Sequence, residues 1–372
     1  MTTTILNKAI EIVKDPWRRG DEDTAYIGLE HIGENTLSLV GVGRSVKLES
    51  NKFRFRKGDV LFGKLRPYFR KVVRPDFDGV CSTDIWVMRA KEGFDQGYIF
   101  YFVANPDFIA KSTGASTGTK MPRADWDFLG NTTYWFPSLD KQRSIAAILS
   151  SLDNKIELLR KQNETLEQIV QAVFNEWFES SSHTVATLSD YVAHIKEQVL
   201  PAATPTGTFY HYSIPAFDTD KTPSVEVGAS ILSGKYRVES NSILYSKLNP
   251  ATPRVWTVFS APANAICSTE FQVFKSKDTR HLPFIYAVLR FSSAIRTLTA
   301  SAQGTSSSHQ RLRPDDILTL EFPVSDEKTL DAYNDMAGAL LRKINRNKDQ
   351  IQSLIGVRDT LLPRLMSGEI RI

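Results

Sequence analysis

Leu61-Phe-Gly-Lys-Leu-Arg-Pro67 returns later in the chain as Leu244-Tyr-Ser-Lys-Leu-Asn-Pro250, an offset of 183 positions (61 to 244). Cys81-Ser-Thr-Asp-Ile-Trp-Val87 returns as Cys267-Ser-Thr-Glu-Phe-Gln-Val273, an offset of 186 (81 to 267). Gly118-Thr119 and Phe136-Pro137 return as Gly304-Thr305 and Phe322-Pro323, again offset by 186 (118 to 304, 136 to 322). Matches that keep their order while the offset drifts by three positions (183 to 186) mark a duplicated unit. The 372-residue chain is therefore two copies of a unit of about 185 residues, each large enough to bury its own core.

Each copy divides into a mixed head and a helical tail. Residues 1–137 form the first head, with strand candidates Asp59–Gly63 and Asp84–Arg89 and a helix candidate Gln96–Asn105. Residues 181–324 repeat the order, and loops rich in Gly, Ser and Thr interrupt both heads. Residues 138–180 and 325–372 are long helices. In the first, Ile145, Leu149, Leu152, Ile156, Leu159, Asn163, Leu166, Val170, Val173 and Trp177 step by four and three, a heptad seam with one polar member. The second seam runs Ala337, Leu340, Ile344, Asn347, Ile351, Leu354, Arg358, Leu361, Leu365. A stripe this narrow needs one partner helix, and the chain supplies a matching one. The expected architecture is thus α+β: two globular heads in tandem, each followed by a long helix, the two helices forming an antiparallel coiled coil with pseudo-twofold symmetry. Asn163 and Asn347 are placed to fix its register. Ser138 or Asp140 is the expected N-cap of the first helix, and Pro363 is expected to kink or end the second. The 33 residues from Ile145 to Trp177 give about 50 Å of helix at ~1.5 Å per residue.

The only two cysteines, Cys81 and Cys267, hold equivalent places in the two copies. Each reads as a small buried residue opening a strand, which argues against a disulfide or a metal pair. No apolar run reaches the ~18 residues of a membrane span. The N-terminal MTTTILNKAIEIVKD carries acids early and does not read as a signal peptide, and two cysteines in 372 residues fit a reducing cytoplasm. Net charge is only +4, but Arg44 to Arg74 holds eleven Lys/Arg against Glu49 and Asp59, interleaved with Phe53, Phe55, Phe62, Tyr68 and Phe69. Such a run attracts polyanions, of which nucleic acid is the commonest.

Catalytic motifs fail on inspection. Asn105-Pro-Asp-Phe108 is similar to the Asn-Pro-Pro-Phe site of adenine methyltransferases, but its third residue is Asp and it follows a helical run with no glycine-rich cofactor loop upstream. It reads as a helix end. Gly114-Ala-Ser-Thr-Gly-Thr-Lys120 is one residue short of a phosphate loop and is followed by Met121 instead of Ser or Thr. His31, His183, His194, His211, His281 and His309 show no metal-ligand spacing. Two heads without shared catalytic residues read as two recognition modules, not an enzyme.

The order Lys-Leu-Arg-Pro-Tyr (64–68), Cys-Ser-Thr-Asp, a Gly/Ser/Thr loop, then Phe-Pro followed by Gln142-Arg143-Ser-Ile-Ala and a heptad helix, all of it duplicated, resembles the specificity subunits of type I restriction–modification systems. The terminal Leu361-Leu-Pro-Arg-Leu-Met-Ser-Gly-Glu-Ile370 is also typical. The resemblance covers nearly the whole chain and implies that each head is a target recognition domain for one half of a bipartite, asymmetric double-stranded DNA site. It implies that the coil sets the gap between half-sites. It further implies two modification (adenine-N6 methyltransferase) subunits using S-adenosylmethionine and restriction/translocase subunits using ATP and Mg. No cofactor or metal is expected in this chain.

For DNA contact the expected residues in the first head are Lys64, Arg66, Tyr68, Arg70 and Lys71, with Ser116, Thr117, Thr119, Lys120 and Arg123 of the polar loop. In the second they are Lys247, Asn249 and Arg254, with Gln303, Thr305, Ser306, His309, Arg311 and Arg313. Asn249 standing where the first head has Arg66 fits two heads that read different sequences. Two other readings remain: a coiled-coil scaffold with two protein-binding heads, or a specificity factor for a methyltransferase lacking a restriction partner.

Overall fold

The computed structural model describes residues 2–118, 120–179, 184–302, 311–370 and 372. The chain separates into two compact units, Met1–Glu157 with Gln352–Ile372, and Leu158–Ile351. Each long helix therefore contributes to both.

In the first unit a four-stranded antiparallel sheet runs in the order Ile10–Val13, Ile85–Ala90, Val60–Gly63, Val72–Val73. A five-stranded sheet runs Asp15–Trp17, Lys52–Phe55, Gly79–Cys81, Ala25–Ile27, Gly43–Arg44, with one parallel pair, Ala25–Ile27 beside Gly79–Cys81. Thr2–Ile5 pairs antiparallel with Thr133–Phe136. All four residues of Val60–Gly63 are buried because the strand has a core on each face. Alternation sends Val60 and Phe62 against the helix Gln96–Ala104, and Leu61 toward Ile27 and Cys81. That helix, QGYIFYFVA, is apolar all round and correspondingly buried from Gly97 to Ala104. Asp95 caps it by accepting from the Tyr98 N–H at 2.8 Å. It ends at Asn105, whose backbone is driven to the extended region by the following Pro106, and Pro106 opens the next helix, Pro106–Gly114. The Asn-Pro-Asp-Phe tetrapeptide is thus a helix-to-helix junction.

The second unit repeats the plan. Its four-stranded sheet is Val192–Ile195, Phe271–Ser276, Ser242–Ser246, Val255–Val258. Its five-stranded sheet is Gln198–Val199, Lys235–Arg237, Ala265–Cys267, Thr208–Tyr212, Ser224–Val227, again with one parallel pair. Thr184–Thr187 pairs with Glu321–Val324. Both cysteines are buried and free, but each closes a strand (Gly79–Cys81, Ala265–Cys267) instead of opening one. The Ser-Thr-Asp/Glu that follows is a turn, closed by Ile85 N–H to Ser82 O and by Phe271 N–H to Ser268 O, both at 2.9 Å. Burial pushes both thiols up to about 12.

The long helices are Leu139–Phe178 and Glu327–Met366. Ser138 sits just before the first, and the second continues through Pro363 for three more residues. Within the first unit, residues 139–157 and 352–366 lie antiparallel: Asp153 meets Arg358, and Leu149 packs in one cluster with Leu362 and Leu365. Within the second unit, 158–178 and 327–351 are also antiparallel. The Asn347 side-chain amide donates to Asn163 Oδ1 at 2.8 Å and to Gln162 Oε1 at 2.9 Å, and the Tyr333 hydroxyl donates to the Val170 carbonyl. Ile156, Leu159, Ile344, Asn347 and Ile351 of the seam are buried, and Leu152, Asn163, Leu166, Leu354 and Leu361 are half-buried.

The expected seam needs correcting at its flanks. Phe174 and Phe178 are fully buried where the heptad count picks Val173 and Trp177, and Leu341 and Leu362 replace Leu340 and Leu361. A straight helix drifts ~20° per heptad from a 3.5-residue repeat. Here the drift is accommodated because Phe284 and Phe291 of the second head cover the flank that Phe174 presents.

In the second unit Glu167 lies between Lys221 (2.7 Å) and Arg290 (3.3 Å). Burial alone would push this carboxyl up, but the two cations outweigh it and hold it below its ordinary value of 4.5. A carboxyl depressed in the native state stabilises the fold above its ordinary value, and that contribution is lost as pH falls through its native value. Urea unfolding of wild type and Glu167→Gln should therefore differ most near neutrality and converge as pH drops below 4.5. A gap that stays constant down to acid pH would refute this.

Candidate nucleic-acid interface

Where the strand Val60–Gly63 ends, the chain is knitted to two other loops. Lys64 N–H donates to Asp84 O at 2.9 Å, Arg66 N–H to Pro122 O at 2.7 Å, and Ala124 N–H to Lys64 O at 2.9 Å. Thr117 and Arg123 exchange two backbone bonds of 3.0 Å. Residues 64–66, the 82–84 turn and the 115–124 loop thus form one surface. Arg66 is held with φ +51°, a left-handed backbone that is costly for a residue with a Cβ. Pro67 then starts the short turn Pro67–Phe69. Arg66, Tyr68, Thr117, Lys120 and Arg123 are exposed. Lys64 stands between two shallow clefts of about 240 and 280 Å³, the second also lined by Thr117, Arg123 and Trp126.

The second unit rebuilds this surface from different residues. Lys247 N–H donates to Glu270 O at 2.8 Å, and Leu312 N–H to Lys247 O at 3.0 Å. Leu248 bridges Arg311 as Leu65 bridges Arg123. Asn249, the counterpart of Arg66, also has φ +51°. Asn tolerates that backbone better than Arg does. The Lys247 ammonium donates to Thr269 O at 2.5 Å, and lies 5.5 Å from the Tyr236 ring centre.

Several expected contact residues are engaged elsewhere. Arg70 is buried; its Nε donates to the Ala104 carbonyl at 2.7 Å and its fork meets Asp359 at 3.3 Å. Lys71 donates to Leu29 O at 2.8 Å and faces Glu34 at 3.6 Å. Arg254 forms a two-pronged pair with Asp218 at 2.6 and 2.8 Å. The Ser116 hydroxyl donates to Ser112 O at 2.7 Å. Arg313 is exposed; its N–H donates to Asp316 at 2.8 Å at the start of the helix Pro314–Leu318. Thr119, Gln303, Thr305, Ser306 and His309 lie outside the described residues.

The basic run is also partly neutralised. Arg44 pairs with Asp23, Arg54 with Asp21 and Glu22, and the Lys52 ammonium folds onto Ser50. These acids are remote in sequence, so a local charge count overstates the field. Missed altogether were Asp84 and Glu270, which pair with Arg123 and Arg311. Their signal was present: Cys-Ser-Thr-Asp and Cys-Ser-Thr-Glu recur with an acid in the fourth place.

Among the described residues no cluster of His, Cys, Asp and Glu could hold a metal ion, and no helix is long and apolar enough to cross a membrane.

Residues 9–168 match a family model described as the type I restriction modification DNA specificity domain. The chain is 24% identical over 310 residues to the type I restriction enzyme MjaIX specificity subunit of Methanocaldococcus jannaschii, covering 76% of this chain and 71% of that protein. It is 22% identical over 410 residues to the HindI specificity subunit of Haemophilus influenzae, covering 86% and 88%. Its fold is similar to the crystal structure of a type I restriction–modification system S subunit from M. genitalium, with a TM-score of 0.57, 15% identity and coverage of 98% and 95%.

Proposed function

We propose that the chain is a non-catalytic specificity subunit of a type I restriction–modification system, the family its first half matches, and that its two heads each read one half of a bipartite, asymmetric site in double-stranded DNA. The observation that carries this is the loop surface built twice: the same backbone bonds around Lys64 and around Lys247, with different side chains on top. Equal frames with unequal letters suit an asymmetric target. In this reading the paired helices set the gap between half-sites. Two modification subunits use S-adenosylmethionine to methylate adenine N6, and restriction/translocase subunits with ATP and Mg join them in the cytoplasm. This chain contributes recognition alone. Lys64, Arg66 and Lys120 neutralise phosphate in the first head; Lys247 and Asn249 frame the second.

The test is to purify the chain with its modification partner, map the methylated adenines, and titrate DNA across salt. The expected map shows two unlike half-sites at one fixed gap. Affinity should fall steeply between roughly 50 and 200 mM salt, and Lys64→Ala with Arg66→Ala should flatten the log–log slope by about 2 at every sequence. Salt-independent binding would leave the protein-binding scaffold as the better reading.

A further inference from the structure

One side-chain contact recurs in both heads although neither acid belongs to the basic loops it serves. In the first unit Arg123 Nε donates to Asp84 Oδ1 at 3.0 Å. In the second Arg311 Nη2 donates to Glu270 Oε1 at 3.1 Å. The acids occupy the same structural place, since the Asp84 carbonyl receives Lys64 N–H and the Glu270 carbonyl receives Lys247 N–H. The acid differs by a methylene and the arginines are offset by 188 (123 to 311) against 186 (84 to 270), yet the pair is rebuilt.

Stability does not explain it. The side chains are 46% and 28% exposed in the first pair and 62% and 30% in the second, and pairs this open add little to folding. Electrostatics opposes it, because a carboxylate on a surface meant for phosphates repels them. What the acid does supply is order. A free arginine carries large rotamer freedom that must be lost on binding. Arg123 meets Asp84 through Nε and Nη2, at 3.0 and 3.5 Å, and Arg311 meets Glu270 through Nη2; a guanidinium so tethered has fewer directions open to its remaining N–H groups, which favours two-pronged recognition of guanine O6 and N7. Among the described residues Arg66 and Lys120 have no ion pair, as befits groups that track a mobile phosphate backbone.

We propose that Asp84 and Glu270 are positioning residues for sequence reading, each holding one arginine, Arg123 or Arg311, in the orientation that recognises a guanine in its own half-site. This rests on the DNA-recognition reading above. In complex with the modification partner, Asp84→Ala should lose discrimination at one base pair of one half-site by roughly tenfold or more and leave the other half-site intact. Its affinity for random-sequence DNA should hold or rise, because a negative charge leaves the surface. Arg123→Ala should relax the same base pair, and Glu270→Gln a base pair of the opposite half-site. Asp84→Asn, which keeps the turn and the size of the side chain, guards against misfolding and should relax the same position with an unchanged Tm. An unaltered methylation map for Asp84→Ala and Asp84→Asn, or equal weakening at all sequences with a lowered Tm, would overturn the proposal. In either case salt-steep binding by the wild type leaves the DNA-recognition reading standing, and its absence removes that reading itself.

Discussion

Arg358→Ala is expected to destabilise the first unit by about 3 kcal/mol, the lower end of the range for removing one partner of a buried ion pair. Arg358 occupies a seam position between the long helices and is 1% exposed. Its Nη1 donates to Asp153 Oδ1 at 2.8 Å and to the Thr36 carbonyl at 3.3 Å, and its Nε to Asp359 at 3.2 Å. Asp153 also accepts from the Tyr101 hydroxyl at 2.6 Å, and Asp359 from the fork of Arg70. Truncation leaves Asp153 and Tyr101 facing a cavity without their cation. The lower figure applies because Asp153 and Asp359 remain 24% and 36% exposed, so water can partly replace the guanidinium. A shift of this size lowers Tm by roughly 6–12 °C for a unit of this length. Arg358→Met with Asp153→Asn should recover much of the loss, since an apolar replacement of similar volume removes the buried charge together with its cost. Thermal unfolding of the two variants beside wild type decides it: Arg358→Ala within 1 °C of wild type would show that water already serves Asp153.

Phe174→Ala should cost about 3–5 kcal/mol, the usual penalty for emptying a buried aromatic site. Phe174 is fully buried, stacked on Phe178 at 5.0 Å, with Phe284, Phe291 and Tyr333 at 5.7, 5.4 and 5.8 Å. Trp177 is the seam residue by heptad count, yet it is half-buried and meets this cluster through Tyr333 at 6.2 Å. Equilibrium unfolding in urea should therefore rank Phe174→Ala well above Trp177→Ala. The reverse ranking would mean that helix pairing, and not packing of the helix on the second head, organises this end.

Much of the fold was legible because it is written in short-range periods. The repeat makes Lys64 equivalent to Lys247 and Cys81 to Cys267, and the sheets duplicate accordingly. The helix candidate Gln96–Asn105 is a helix from Gln96 to Ala104, buried from Gly97 on. Asn163 and Asn347, picked as the polar members of two seams, do meet. The site was less legible. Arg66 and Lys120 are exposed, whereas Arg70, Lys71 and Arg254, the same residue types in sequence, are spent on Asp359, Leu29 and Asp218.

By itself, then, the sequence determined the duplication, the alternation of mixed head and long helix, and the polar members of the two seams, because a period or a proline acts on its immediate neighbours. Only the tertiary structure decided which cations remain free and which helix face is covered. Asp21, Asp23 and Asp359 neutralise a basic run from far along the chain, and Phe284 and Phe291 choose Phe174 over Val173. A charge or a hydrophobic face has no partner until distant segments are brought together, and no local pattern records which segments those will be.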